Sequence, residues 1–458
     1  MTKTIDVGSP RRMAPQETRT AHPAVKIGIR VLVNAVAVAV LGLLTWGRLP
    51  PLARQTVWAE DGGVFLRDVL SNGHLRSIPL PYDGYLHVIP RTLASLAHAV
   101  VPLQGYALAM SLLSCLAVAA ISVAVFHLSR SVAESVPVRV MIAAIPVLLP
   151  IGPQEVLGNA ANLHWYLLWL MPWLLLYRPK SRPAGVAMFV GAFLTAASEI
   201  ITGMFLPLAV WAAFRRRNFA APAGLVLGVG LQVLATLTKP RFSGAAPSDA
   251  VDVISVFLGF GLLPIGSIWH ADSRTLASNI VSYGGWALFI PCLLVVALLT
   301  YTLVAGGRGL KLTALGALGA SVLCWVASVV LSGNTMFNYA TYTEADWATG
   351  FGYIRYAAAP AMFLLLLVPL AVAAALAKGH VNRRAAFAVT GMFLAFLLVS
   401  YLPASTVRQA GPSWSAGVSD ARVACEADPS LATGTVLIAP VTWKFAQVQI
   451  PCSELRSP

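Results

Sequence analysis

Hydrophobic and polar positions fall in long blocks along this chain, not in the short periods of a soluble fold. Apolar runs are separated by brief polar connectors. A helix crosses the hydrocarbon core of a bilayer with roughly 20 apolar residues, fewer where the membrane thins or the helix is packed inside. On that basis the runs predict about eleven spanning helices, at 27–46, 105–128, 140–151, 165–177, 184–198, 200–214, 220–237, 283–304, 312–331, 356–376 and 385–402. The expected fold class is therefore an all-α polytopic membrane protein. A further apolar stretch, 251–268, is interrupted by Gly259, Gly261 and Pro264. It reads as an interfacial or re-entrant helix and not as a span.

The polar remainder is unevenly distributed. Residues 1–26 hold little to bury and read as a disordered tail. Loops are expected at 47–104, 153–164, 238–282 and 332–355, and a polar tail at 403–458. In the first loop, Gly62 to Asn72 has the pattern of a short amphipathic helix, and Pro90 to Val101 that of a helix at the interface.

Composition agrees with the pattern. The chain is 57% hydrophobic and 11% charged, with a mean hydropathy of +0.74, against about 25% charged residues in soluble domains. The net charge of +14 does not point to nucleic acid, because the basic residues cluster in short connectors between spans. Most of the 32 Lys and Arg lie in alternate connectors, with only Asp6, Glu17 and Glu134 of the 18 acids. Cytoplasmic loops are enriched in Lys and Arg. The N-terminus is thus expected in the cytoplasm, and the four long loops and the C-terminal tail outside. No cleavable signal peptide is expected, since the run after Lys26 is long enough to stay as a span. High Ala, Val and Arg usage hints at a GC-rich bacterium, and the membrane expected is then its inner one. Cys425 and Cys452 are the two cysteines of the tail. An oxidising compartment would let them pair and close a small cap; two free thiols are the alternative.

Candidate chemistry concentrates on the expected outer face. Glu60 and Asp61 follow Trp58-Ala59 and precede Gly62-Gly63. A carboxylate in a partly dry site is a general base, because burial raises its pKa. Two adjacent carboxylates are also oxygen ligands for a divalent cation such as Mg or Mn, although no metal is required. Solvated loop charges would look the same. Arg91, Lys239, Arg241 and Arg355 are cations on a face that disfavours them, so each needs a partner: a carboxylate, a lipid phosphate or a substrate phosphate. Arg355 is flanked by Tyr353 and Tyr356, which equally suits an interfacial aromatic belt. Asp83, His87, Glu155, Asn159, Asn162, His164 and Trp165 are candidates for holding a sugar or acceptor by hydrogen bonds and stacking. No His/Cys/acid spacing is diagnostic of a metal site.

A first span followed by a loop that opens with Glu60-Asp61 and an amphipathic helix resembles the polytopic GT-C glycosyltransferases. The resemblance extends over residues 27–402; unlike the best-known members, this chain is not expected to carry a large C-terminal soluble domain. It implies transfer of a sugar from a polyprenyl-phosphate donor to a cell-envelope glycan, lipid or protein acceptor, with inversion. Asp61, preferred slightly over Glu60, would be the base, and Arg355, Arg91 or the Lys239/Arg241 pair would hold the phosphate. The partners implied are that donor, the acceptor and membrane lipids, with no nucleic acid. Two other classes fit the same sequence. One is a lipid-linked glycan flippase, disfavoured because the spans carry few ionisable residues. The other is a polymerase or ligase using diphosphate-linked glycans.

Overall fold

Where water is absent, a backbone bonds to itself, and long apolar stretches can satisfy that only as helices. The computed structural model describes residues 23–216, 218–239, 251–332, 334–349, 352, 354–403 and 406–456, and their regular structure is nearly all helix. The predicted N-terminal tail lies almost wholly outside the described residues.

Among the described residues, seven helices are long and apolar enough to cross a membrane: Gly28–Gly47, Leu103–Ser131, Val136–Gln154, Ala220–Thr238, Trp286–Ala305, Arg308–Ser332 and Ile354–Ala377. The protein is a multi-pass membrane protein. The other four expected spans are helical but shorter: Leu163–Leu176, Arg182–Ala196, Ile200–Arg215 and Arg383–Val399. The interrupted stretch forms Val253–Trp269, which turns by 115° into Ser273–Tyr283. This is the geometry of a broken span or a re-entrant loop. Helices Gly28–Gly47 and Trp286–Ala305 leave most of their apolar side chains exposed, whereas Ile354–Ala377 is mostly buried. The former face the surroundings and the latter runs through the centre.

Two packing features place the loops. Gly224 and Gly228, four residues apart, lie directly against the Phe189–Ala197 backbone, where a Cβ on either would overlap main-chain atoms. Small residues at this spacing let helices approach closely. Helix Ala220–Thr238 then offers Gln232 to the first loop: its Oε1 accepts Leu86 N–H at 2.7 Å and its Nε2 donates to Leu86 O at 3.1 Å. Thr236 donates to Gly84 O at 2.6 Å.

The C-terminal segment is a small cap. Helix Trp414–Ala427 packs on two antiparallel strands, β1 (Thr433–Leu437) and β2 (Gln447–Pro451). Alternate residues Val436, Val448 and Ile450 turn inward, the period-two pattern of a half-buried sheet. The expected Cys425–Cys452 disulfide is present and ties the helix to the end of β2. Trp414 is buried, and its indole donates to Leu103 O at 2.7 Å. The cap is thereby docked on the first loop.

Candidate functional site

The Trp58–Gly63 turn is shaped by the cap. Ala59 N–H donates to Ala439 O at 2.6 Å, and Ala439 N–H to Val57 O at 3.1 Å. Gly62 sits against Val57 and Ile438, and Gly63 under the Trp443 ring and the Phe445 carbonyl, with no room for a Cβ on Gly63. Ala59 has φ +38°, a left-handed conformation that costs an alanine about 1 kcal/mol. Glu60 and Asp61 leave this turn in different directions. The chain then runs into wide π-helical turns over Asp61–Leu66 and an α-helix over Arg67–Asn72. The π-helical turns Asp61–Leu66, which hold the first five residues of the predicted amphipathic helix, are buried throughout.

Asp61 turns inward. It is 2% exposed, and its two oxygens accept the N–H groups of Ala160 (3.0 Å) and Ala161 (2.8 Å). Burial pushes its carboxyl up to about 7, against the lowering effect of those two amides and of Arg408. Arg408 is itself buried and donates to the carbonyls of Ala53 (2.6 Å), Thr56 (3.0 Å), Leu157 (2.9 Å) and Gly158 (2.9 Å). Burial lowers its guanidinium to about 10, opposed by Asp61. Together the pair fastens the 153–164 loop to the first loop.

Glu60 faces the other way, into a cavity of about 330 Å³. The cavity brings together Glu60, Asp83, His87, Asn162, His164 and Trp165 of the first two loops, and Arg355 and Tyr356 at the start of the central helix. Glu199, Ser328 and Ser332 also line it, as do Trp443 and Lys444 of the cap. Arg355 pairs with Glu155, Nη1 to Oε1 at 2.5 Å, and its main-chain N–H also reaches Oε2 at 3.3 Å. His164 Nδ1 lies 2.5 Å from Glu199 Oε2. Trp165 meets Tyr356 edge-on at 5.5 Å. Asp83 and Gly84 both have positive φ (48° and 85°), in a tight turn closed by Tyr82 and Tyr85. His87 is packed against Tyr85 (4.1 Å) and Phe65 (5.5 Å). Burial, with Arg91 nearby, holds its imidazole well below the usual histidine value, so it is neutral.

Several expected site residues have other positions. Arg91 does not line the cavity: it is buried, donating to Asp68 at 2.8 Å and to Ser77 O at 3.1 Å, and its charge supports the first-loop helix. Asn159 is buried within its own turn, donating to Glu155 O at 2.7 Å and accepting Asn162 N–H. Lys239 is exposed at the end of its helix and is absent from the cavity wall. Arg241 and Tyr353 lie outside the described residues. The Glu60 and Asp61 side chains diverge, so they do not form a two-carboxylate chelate. Among the described residues no group of three or more His, Cys, Asp or Glu side chains converges as metal ligands.

Three participants escaped the sequence reading. Arg408 carried only the weak signal of a cation in an expected outer segment. Glu199 falls between two expected spans, and nothing in the spacing links it to His164. Lys444 reaches the cavity from the far end of the chain, and no local pattern announces it. Comparison with known proteins adds no relative: no family model matches the chain, and neither the curated proteins nor the solved structures yield a match.

Proposed function

We propose that the protein is a membrane glycosyltransferase of the GT-C type. It would move a sugar from a polyprenyl-phosphate donor to a cell-envelope glycan, lipid or protein acceptor. The reading includes an eleven-span layout in a bacterial inner membrane, with the N-terminus in the cytoplasm and the cavity outside. The observation that carries it is the cavity itself. It joins one carboxylate of the paired acids, Glu60, to two cations, Arg355 and Lys444, and to aromatic walls at Trp165, Tyr356 and Trp443.

Glu60, not Asp61, is the base in this reading. Its carboxylate lines the cavity, whereas both Asp61 oxygens are occupied by main-chain amides. The guanidinium of Arg355 offers a fixed fork for a phosphate, and Glu155 holds that fork in place. Lys444 adds a point charge at the rim. The aromatic faces suit the apolar face of a sugar ring. As the acceptor hydroxyl attacks the anomeric carbon from the side opposite the phosphate, Glu60 takes its proton. The C–O electron pair leaves with the phosphate, stabilised by the cations.

The test is reconstitution of the full chain in lipid vesicles with a panel of labelled polyprenyl-phosphate sugars. Transfer by the native protein and its loss in Glu60→Gln support the reading. Translocation of the lipid without transfer would replace it with a flippase.

A further inference from the structure

His164 stands in the first turn of helix Leu163–Leu176. The carboxylate on its Nδ1, Glu199, is 2% exposed, and the other oxygen of Glu199 accepts Ile201 N–H at 2.7 Å. A carboxylate only accepts, so Nδ1 carries a proton. The Trp165 ring lies 4.2 Å away, centroid to centroid, and fixes the imidazole plane. Among the described residues, Nε2 has no hydrogen-bond partner in the protein, and the ring forms part of the cavity wall. The imidazole is thus held from behind by a buried carboxylate with its second nitrogen left at the cavity. This is how a third group orients an acid or a base.

We propose that His164 is the general acid of the transfer, giving its Nε2 proton to the departing phosphate, with Glu199 as its positioning residue. This rests on the glycosyl-transfer reading above. In the step, the acceptor oxygen bonds to the anomeric carbon and its proton passes to Glu60. The bond from that carbon to the phosphate oxygen breaks, and its electron pair stays on the oxygen. His164 protonates the phosphate as it leaves. Glu60 ends protonated and His164 neutral, and water carries a proton from one to the other before the next turnover. The charged and titratable groups facing His164 are Glu199 behind it, His87 beside it, and Glu60, Asp83, Arg355 and Lys444 across the cavity. Of these, the Glu199 carboxylate is the group in direct contact with the ring, at Nδ1.

The test is the pH profile of kcat/KM for polyprenyl-phosphate sugar transfer by the full chain in vesicles. The native protein is compared with His164→Gln, His164→Arg and Glu199→Gln. The native rate is expected to fall on the alkaline side as His164 loses its proton. His164→Gln and His164→Arg should each lose about 100-fold and show no such limb, since removing a general acid costs 10²–10⁴-fold. Arginine keeps the charge but cannot give up a proton, so it separates acid catalysis from phosphate binding. Glu199→Gln should lower kcat with donor KM little changed, since the ring loses the carboxylate that positions it. A native profile that stays flat to about pH 9 overturns the proposal without requiring any variant to fold. So does His164→Arg with native rate and profile, while Glu60-dependent transfer leaves the wider reading standing. If the native protein transfers no sugar from any donor, the wider reading fails first and this inference falls with it.

Discussion

Two clusters of buried charge flank the 153–164 loop and are built on opposite plans. On one side, Arg408 spends its guanidinium on four main-chain carbonyls and Asp61 spends its carboxylate on two main-chain amides. Arg48 repeats the plan nearby, donating to Val147 O (2.7 Å) and Leu149 O (2.9 Å). On the other side, Glu155 holds Arg355 and Glu199 holds His164, side chain to side chain, with the cavity in front. Main-chain partners cannot move aside without unfolding, so the first cluster fixes the loops. A side-chain pair can share its charge with a ligand, so the second can bind and react. Adjacent residues of one motif, Glu60 and Asp61, fall on the two sides of this division.

Substitutions should separate the clusters by what they damage. The largest effect is expected at Arg408. Arg408→Ala strands four carbonyls and leaves Asp61 uncompensated, and breaking a buried charge arrangement costs about 3–5 kcal/mol. Thermal melting in detergent should show a large drop or no folded protein. At the cavity, Arg355→Lys keeps a charge but loses the fork shared between Glu155 and a phosphate. Steady-state kinetics should show donor KM raised roughly tenfold, the scale of one charge-assisted hydrogen bond, with the melting temperature little changed. An equal loss of stability at both sites would erase the distinction.

The smallest effect is a pH dependence. An acid whose folded pKa is raised above its unfolded value binds its proton more tightly when folded. For Asp61, ionisation costs nothing below the unfolded value of about 4 and destabilises increasingly as pH rises from there to about 7. Melting temperature should therefore fall over that window, and Asp61→Asn should flatten the fall. Asp61→Asn should also melt lower at every pH, because the amide turns a donor toward Ala160 or Ala161 N–H.

How much of this was readable beforehand follows from the range of each interaction. Membrane helices are local: length and hydropathy located the seven helices long enough to cross and the break at Gly259–Pro264. The short helices 163–176 and 182–196 were located as well, but length alone cannot show whether they cross. Arg355 was legible as a cation on a face expected to disfavour one, and the Glu60-Asp61 pair as two acids side by side. The disulfide followed from two cysteines sharing one tail. What could not be read was direction. Nothing local distinguishes Glu60 from Asp61, because their divergence is imposed by Ala439, Trp443 and Phe445 from nearly 400 residues away in the chain. Arg91 looked as anomalous as Arg355, and its partner Asp68 lay in the same loop, but only the folded helix brings them to 2.8 Å.

The most direct measurement is sugar transfer from a polyprenyl-phosphate donor, taken with the melting temperature for Glu60→Gln and Asp61→Asn in the full chain. Glu60→Gln should lose transfer by about 100-fold or more and melt like the native protein. Asp61→Asn should melt lower, and the fraction that stays folded should still transfer. Native transfer by a stable Glu60→Gln protein would contradict the account, and so would loss of transfer confined to Asp61→Asn.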